Sequence, residues 1–154
     1  MERRTLAVVC MFVAGGLAKA QHFEVEPVMY RGDPKGSQEA GTIKKISAPL
    51  LVIKSGETGS LLVGGTLPIQ TPNGISFVPV GRQVHVTAKA VDGGGIKVEA
   101  TLENSELVGK GPQVNKVETK TVATIQSGGS LRLELGRDPK DLHWVEITVR
   151  KAKR

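Results

Sequence analysis

The side chains able to do chemistry in this sequence are few and scattered. Histidine can bind a metal or carry a proton, and the candidates outside the N-terminal segment are His22, His85 and His143. They lie far apart, and none belongs to an H-x-x-x-H or similar pairing that would set two ligands side by side. Carboxylates come closest to a group in "EATLENSEL", where Glu99, Glu103 and Glu106 could serve acid–base work. On a strand, Glu99 and Glu103 share the wet face, which is the ordinary state of an amphipathic strand. "VGGTLP" and "SGGS" contain glycine but lack the lysine and the strand-to-helix context of a phosphate loop. No G-x-S-x-G offers a nucleophile elbow. Since no nucleophile, base and orienting group can be proposed together, the expectation is a protein that is not an enzyme, with no metal, no cofactor and no small-molecule substrate.

The N-terminus points to export. "MERRTLAVVCMFVAGGLAKAQ" has the three parts of a secretory signal peptide. Arg3 and Arg4 form the positive end, Leu6 to Leu17 the apolar stretch, and Ala18-Lys19-Ala20 a small-x-small cleavage site. The apolar run is shorter than the roughly 20 residues a membrane helix needs. Cleavage is expected before Gln21. The lone cysteine, Cys10, falls inside this segment, so the mature chain would hold no disulfide and no thiol nucleophile. The minor alternative makes Cys10 a lipidated residue, although Val8 and Val9 stand where small residues are wanted.

Charge says little more. The formal net charge of +6 becomes +4 on cleavage, because Arg3, Arg4 and Lys19 leave together with Glu2. Much of the excess crowds into "RKAKR" at the C-terminus, which reads as a solvated end. Aromatic residues do not interleave with these cations, so nucleic acid is not an expected partner. The mature aromatics are Phe23, Tyr30, Phe77 and Trp144, and they form no visible girdle.

These residues must be positioned by strands. "QVHVTAKAV" alternates Val84, Val86, Ala88 and Ala90 with His85, Thr87 and Lys89, and "IKVEATLEN" sets Ile96, Val98, Ala100 and Leu102 against Lys97, Glu99, Thr101 and Glu103. "SLRLELG" and "WVEITVRK" do the same. Strand-like runs are expected at Lys45–Lys54, Ser60–Val63, Gly81–Val91, Ile96–Asn104, Val117–Gln126, Leu131–Leu135 and Trp144–Lys151. Gln21 to Gly41 reads as an N-terminal arm with an edge strand at Phe23–Tyr30, interrupted by Pro27. Turns are marked by "VDGGGI", "KSGETGS", "QSGGS" and the looser "RDPKD". No window carries a capped helical stripe. The fold class is therefore all-β, with antiparallel hairpins forming a sandwich or an open barrel-like sheet. The expected organisation is a signal peptide at 1–20, an arm at 21–41 and a β domain at 42–154.

The order of motifs resembles the C-terminal domain of bacterial secretins. "KKISAPLLVIKSGETGSLLVGGTLPI" is similar to a Leu-Ser-x-Pro segment, an apolar strand, a turn and a Val-Gly-x-x-x-Pro segment, matched at Ser47, Ala48, Pro49, Gly56, Val63, Gly64 and Pro68. "VPVGRQVHVTAKAVDGGGIKVEATLENSEL" is similar to the stretch in which Val-Gly opens an alternating hairpin that ends in an acidic residue near a serine. Val80, Gly81, Gly93 to Gly95, Glu103 and Ser105 follow that order. "VETKTVATIQSGGSLRLELG" and "HWVEITVRK" take the places of the next hairpin and the closing strand. Secretins are the ring-forming outer-membrane channels of type II and type III secretion, and their domain supplies strands to a shared barrel. The resemblance implies a minimal secretin-like domain, exported to the periplasm or outer membrane or secreted. It implies self-association, or contact with other envelope secretion components, and an outer-membrane association. In that reading Pro49 and Pro68 bracket a strand–turn–strand unit. Gly64 and Gly65 permit a bend, Gly81 opens the long hairpin, and Gly93, Gly94 and Gly95 turn it. The alternative is a monomeric exported β-sandwich that binds an unknown ligand, with edges blunted by Lys44, Lys45, Arg150 and Lys151.

Overall fold

The computed structural model describes residues 21–33, 43–47, 49–108, 113–136 and 142–153. The expected signal peptide, Cys10 and "RDPKD" lie outside the described residues. Alternation of apolar and polar side chains is strong enough to build nearly everything else as strand: β1 (His22–Gly32), β2 (Ile43–Ser47), β3 (Leu51–Lys54), β4 (Thr58–Thr71), β5 (Gly74–Ala90), β6 (Ile96–Leu107), β7 (Val114–Ile125), β8 (Gly129–Leu135) and β9 (Leu142–Lys151). They form two antiparallel sheets. The first runs β2-β1-β9-β8, with β3 also on β1, and the second runs β4-β5-β6-β7.

The sheets pack face to face through the inward half of each alternating strand. Phe23, Val25 and Met29 of β1, Leu133 of β8, and Val145, Ile147 and Val149 of β9 meet Val84, Val86 and Ala88 of β5 and Ile96, Val98, Ala100 and Leu102 of β6. At roughly 1.5–3 kcal/mol for each large apolar side chain removed from water, this layer is the main stabilising term. The expected all-β sandwich is the observed architecture.

Proline decides where strands stop and which edges stay unpaired. β1 is an internal strand between β9 and the β2/β3 pair, not the edge strand that Pro27 suggested. Its partner on one side is broken: β3 pairs with His22–Val25 and β2 with Met29–Gly32, so Glu26, Pro27 and Val28 pair with β9 alone. A residue without an N–H fits such a gap. The expected single strand at Lys45–Lys54 is correspondingly two, divided around Pro49. Pro68 lies inside β4 rather than ending it, so the two prolines do not bracket a strand–turn–strand unit. Pro68 and Pro79 sit where β4 and β5 have only each other as partners, a position that tolerates a missing donor.

The largest departure from the sequence reading is the length of the β4–β5 hairpin. It pairs without interruption from Thr58↔Thr87 to Thr71↔Gly74, whereas β6 pairs with β5 only from Gly81 to Ala90. Beyond Gly81 the hairpin therefore leaves the sandwich as a two-stranded ribbon. Its tip is "TPNG", where Pro72 and Asn73 form the two-residue loop and Gly74, with φ 126°, already pairs with Thr71. At about 3.4 Å per residue the ribbon extends roughly 24 Å.

Candidate functional site

The residues that could have formed a catalytic group are dispersed. His22 is exposed on β1, His143 is half-buried at the start of β9, and His85 lies on the outer face of the second sheet. There its Nδ1 and Ser60 Oγ share a 2.8 Å hydrogen bond. Glu99 pairs with Lys97 at 3.1 Å, and Glu106 accepts a 2.7 Å hydrogen bond from the Asn104 amide. Among the described residues no group of His, Cys, Asp and Glu side chains gathers as a metal-ligand set.

Glu103 is the buried charge, at 6% exposure. Its carboxylate accepts a 3.0 Å hydrogen bond from Ser105 Oγ and lies 2.6 Å from Lys116 Nζ. Burial pushes its pKa up, but hydrogen bonds from Lys116 and Ser105, and the positive charge of Lys116, leave it below the ordinary carboxylate range. Glu103 in turn raises Lys116. This ion pair locks the register of β6 on β7 and belongs to a polar outer face. That face also carries the cross-strand Thr58–Thr87 hydroxyl pair at 2.6 Å.

The glycines singled out from the sequence divide into different roles. Gly64 and Gly81 face each other across β4 and β5. A Cβ on Gly64 would collide with the carbonyl oxygen of Val80, and one on Gly81 with that of Val63. Gly81 also has φ 122°, which L side chains rarely adopt. Together they form a close backbone crossing at the root of the ribbon. Gly65 has open space around its Cβ position and takes no part in the crossing. Gly93 and Gly94, at φ 84° and 86°, turn the β5–β6 connection as one short 3-10 turn, while Gly95 is buried beside Thr124 and Val91. Pro49 lies apart, between β2 and β3 of the first sheet.

Two features were missed. No charged side chain occurs from Thr58 to Gly81, a run countable in the sequence, where only Ser60–Val63 and the Gly81 start of the next run were expected as strand. On the ribbon this leaves Leu67, Ile69, Val78 and Val80 on one face, with Ile75 and Phe77, each 66% exposed, on the other. Second, the outer edges of the second sheet are long: among the described residues nothing pairs with the far side of β4 or of β7. Of the charges expected to blunt edges, none lies on this sheet, and only Lys44 and Lys45, on β2, lie on an edge of the other. Arg150 and Lys151 lie on β9, which is internal.

The end of the sandwich from which the ribbon emerges is polar. There the inward positions of the first sheet read Arg31–His143–Leu135 and those of the second Arg82–Asn104–Val117, replacing the apolar layers behind them. Two cavities open at this end. One, of about 310 Å³, is lined by Arg31, Lys45, Ile46 and Arg82. The other, of about 370 Å³, lies between Asn104, Asn115 and Val117 on one side and Leu135 and His143 on the other.

No family model matches this chain, and no curated protein matches it. Solved structures do. Aeromonas hydrophila ExeD matches over 87% of this chain and 49% of its own, with a TM-score of 0.52 and 14% identity. The ETEC pilotin–secretin complex AspS–GspD matches over 86% and 49%, with a TM-score of 0.53 and 11% identity. The Salmonella SPI-1 type III secretion injectisome secretin InvG matches over 88% and 66%, with a TM-score of 0.50 and 11% identity. The chain thus spans about half the length of the first two structures. At these identities the likeness is one of fold alone, an all-β fold shared with secretin structures.

Proposed function

We propose that this chain is a non-catalytic structural or transport component of an envelope secretion assembly, exported and working as one of several associated copies. The observation that carries the reading is the pair of open edges on the second sheet. β4 and β7 present strands of 14 and 12 residues whose outer N–H and C=O groups have no partner among the described residues. Long open edges are liabilities that a soluble monomer normally blunts. Strand direction makes them complementary: β4, β5, β6 and β7 alternate, so β4 of one copy meets β7 of the next antiparallel. Repeating that step extends the sheet from copy to copy, a heterologous contact that closes into a ring if the rotation allows. The polar outer face and the fold likeness to secretins support the same reading. Other components of such an assembly are equally suitable partners for the edges. Outer-membrane contact would fall to the uncharged ribbon.

The test is the mass of the purified chain by size exclusion with light scattering, in buffer and in mild detergent. A ring-sized oligomer is expected. A clean monomer in both conditions would refute self-assembly and leave a monomeric β-sandwich binding module, with the polar end of the sandwich as its ligand site.

A further inference from the structure

We propose that Arg31, Lys45 and Arg82 form a site for the phosphoryl group of an anionic lipid headgroup, at the root of the β4–β5 ribbon. The three cations belong to β1, β2 and β5, remote in sequence, and converge on one cavity of about 310 Å³. That volume admits a phosphoryl group with several waters, each taking about 30 Å³ in the liquid. Arg31 and Arg82 occupy inward positions of their strands, continuing the series Phe23, Val25, Met29 and Val84, Val86, Ala88 where an apolar side chain would extend the core. Arg31 is exposed there and Arg82 half-buried, so both charges stay within reach of solvent and of a ligand. Both arginines already make contacts within the chain. Arginine is suited to phosphate because its planar fork donates two parallel hydrogen bonds to the oxygens.

The source of the phosphate follows from what adjoins the cavity. Arg82 follows Gly81 directly, and Gly81 ends the uncharged run from Thr58. Cations at the base and apolar side chains along the projecting arms match the order of headgroup and acyl layers. The ribbon carries unpaired backbone groups along its length, and hydrocarbon cannot satisfy these. The ribbon therefore lies along the membrane–water interface rather than crossing the bilayer, with Ile75 and Phe77 as its exposed apolar contacts. The proposal takes from the envelope reading only that the chain works beside a membrane; it does not need the oligomer.

The experiment measures binding of the purified full chain to three vesicle types: a neutral, phosphate-free galactolipid alone, the same galactolipid with phosphatidylglycerol, and the same galactolipid carrying an equal surface charge as oleate. Binding to the phosphatidylglycerol vesicles is expected to exceed the other two. At about 1 kcal/mol per basic residue near a charged surface, Arg31→Gln with Arg82→Gln should weaken it roughly 25-fold. Lys45→Gln, on an exposed edge strand, should weaken it about fivefold and serves if the double variant does not fold. Lys151→Gln with Lys153→Gln, toward the opposite end of the first sheet, should leave it unchanged. The proposal is overturned if the site variants bind as the parent does, if the tail variant loses as much, or if oleate vesicles bind equally well. Binding of inorganic phosphate with no preference among the vesicles would assign the site to a free anion and overturn the lipid. Light scattering on the same samples keeps the two readings apart. A monomer that prefers phosphatidylglycerol refutes self-assembly alone, and an oligomer indifferent to it refutes the phosphoryl site alone.

Discussion

Replacing Gly64 with alanine, and separately its neighbour Gly65, is the sharpest test of the backbone crossing at the root of the ribbon. The two residues are adjacent on one strand and indistinguishable by composition, yet their surroundings differ. A Cβ at Gly64 meets the Val80 carbonyl oxygen and lies 2.8 Å from Gly81 Cα, both backbone, so no rotamer change relieves the contact. The strands must separate locally, weakening hydrogen bonds worth about 1 kcal/mol each and adding strain of about 1–3 kcal/mol. Gly64→Ala should thus cost roughly 2–4 kcal/mol, or about 6–15 °C in Tm at this chain length. A Cβ at Gly65 meets nothing within 4 Å. Restricting the unfolded chain there should stabilise by about 0.5 kcal/mol. Thermal unfolding followed by circular dichroism reads both variants. Equal Tm values would refute the close crossing, since only the position of the backbone opposite distinguishes the two sites.

Three further outcomes follow from the geometry. Glu103 has a pKa held below its unfolded value, so its contribution is present above the ordinary carboxylate range, near pH 4.3, and is lost as pH falls through the folded value. Urea unfolding across that acid window should show a smaller loss of stability for Glu103→Gln than for the parent. Ile147→Ala empties a fully buried site between the sheets and should cost about 2–5 kcal/mol in the same assay, without shifting the folded-state spectrum. Leu62→Lys places a charge on β4, at a position already 39% exposed, and should abolish copy-to-copy pairing while leaving Tm within about 2 °C of the parent. A mass unchanged by light scattering would remove β4 from the interface.

The parts of the fold legible in the sequence are those where period 2 is strong and one face is buried. "QVHVTAKAV" and "IKVEATLEN" placed Val84 to Ala90 and Ile96 to Leu102 correctly because core burial enforces the alternation. The ribbon was not legible, because both of its faces are apolar and neither is covered within the chain, so "GTLPIQTPNGISFVPV" shows no alternation. Pro68 and Pro79 further argued against strand, a rule that holds only where both sides of a strand need donors. The turn-forming Pro72 and Asn73 of "TPNG" were the available hairpin signal. The basic cavity was illegible for another reason. Arg31, Lys45 and Arg82 come together only through the stacking of two sheets, which no local pattern encodes. What the sequence did contain was the break in parity: a cation at the inward position after Met29 and before Val84.

The two sheets treat their edges differently, and that difference bears directly on how copies would meet. The first sheet ends on one side in a strand split around Pro49, with Lys45 exposed on it, and on the other in the seven-residue β8. Short, broken and charged edges resist pairing with another chain. The second sheet ends in β4, which has no charge along its 14 residues, and in β7, which carries Glu118 and Lys120 and whose Lys116 is drawn toward Glu103 on its own neighbour. Because Lys116 is engaged within the chain, it does not guard the β7 edge, and breaking its bridge would free a cation there. Glu103→Gln should therefore weaken copy-to-copy pairing as well as flatten the acid dependence, since an untethered Lys116 adds a further free charge to the exposed Glu118 and Lys120 that β7 already carries. An assembly mass that falls in Glu103→Gln at neutral pH, while the chain stays folded with a lowered Tm, is the expected result. An unchanged mass would mean that the bridge fixes register within the copy and has no part in joining copies.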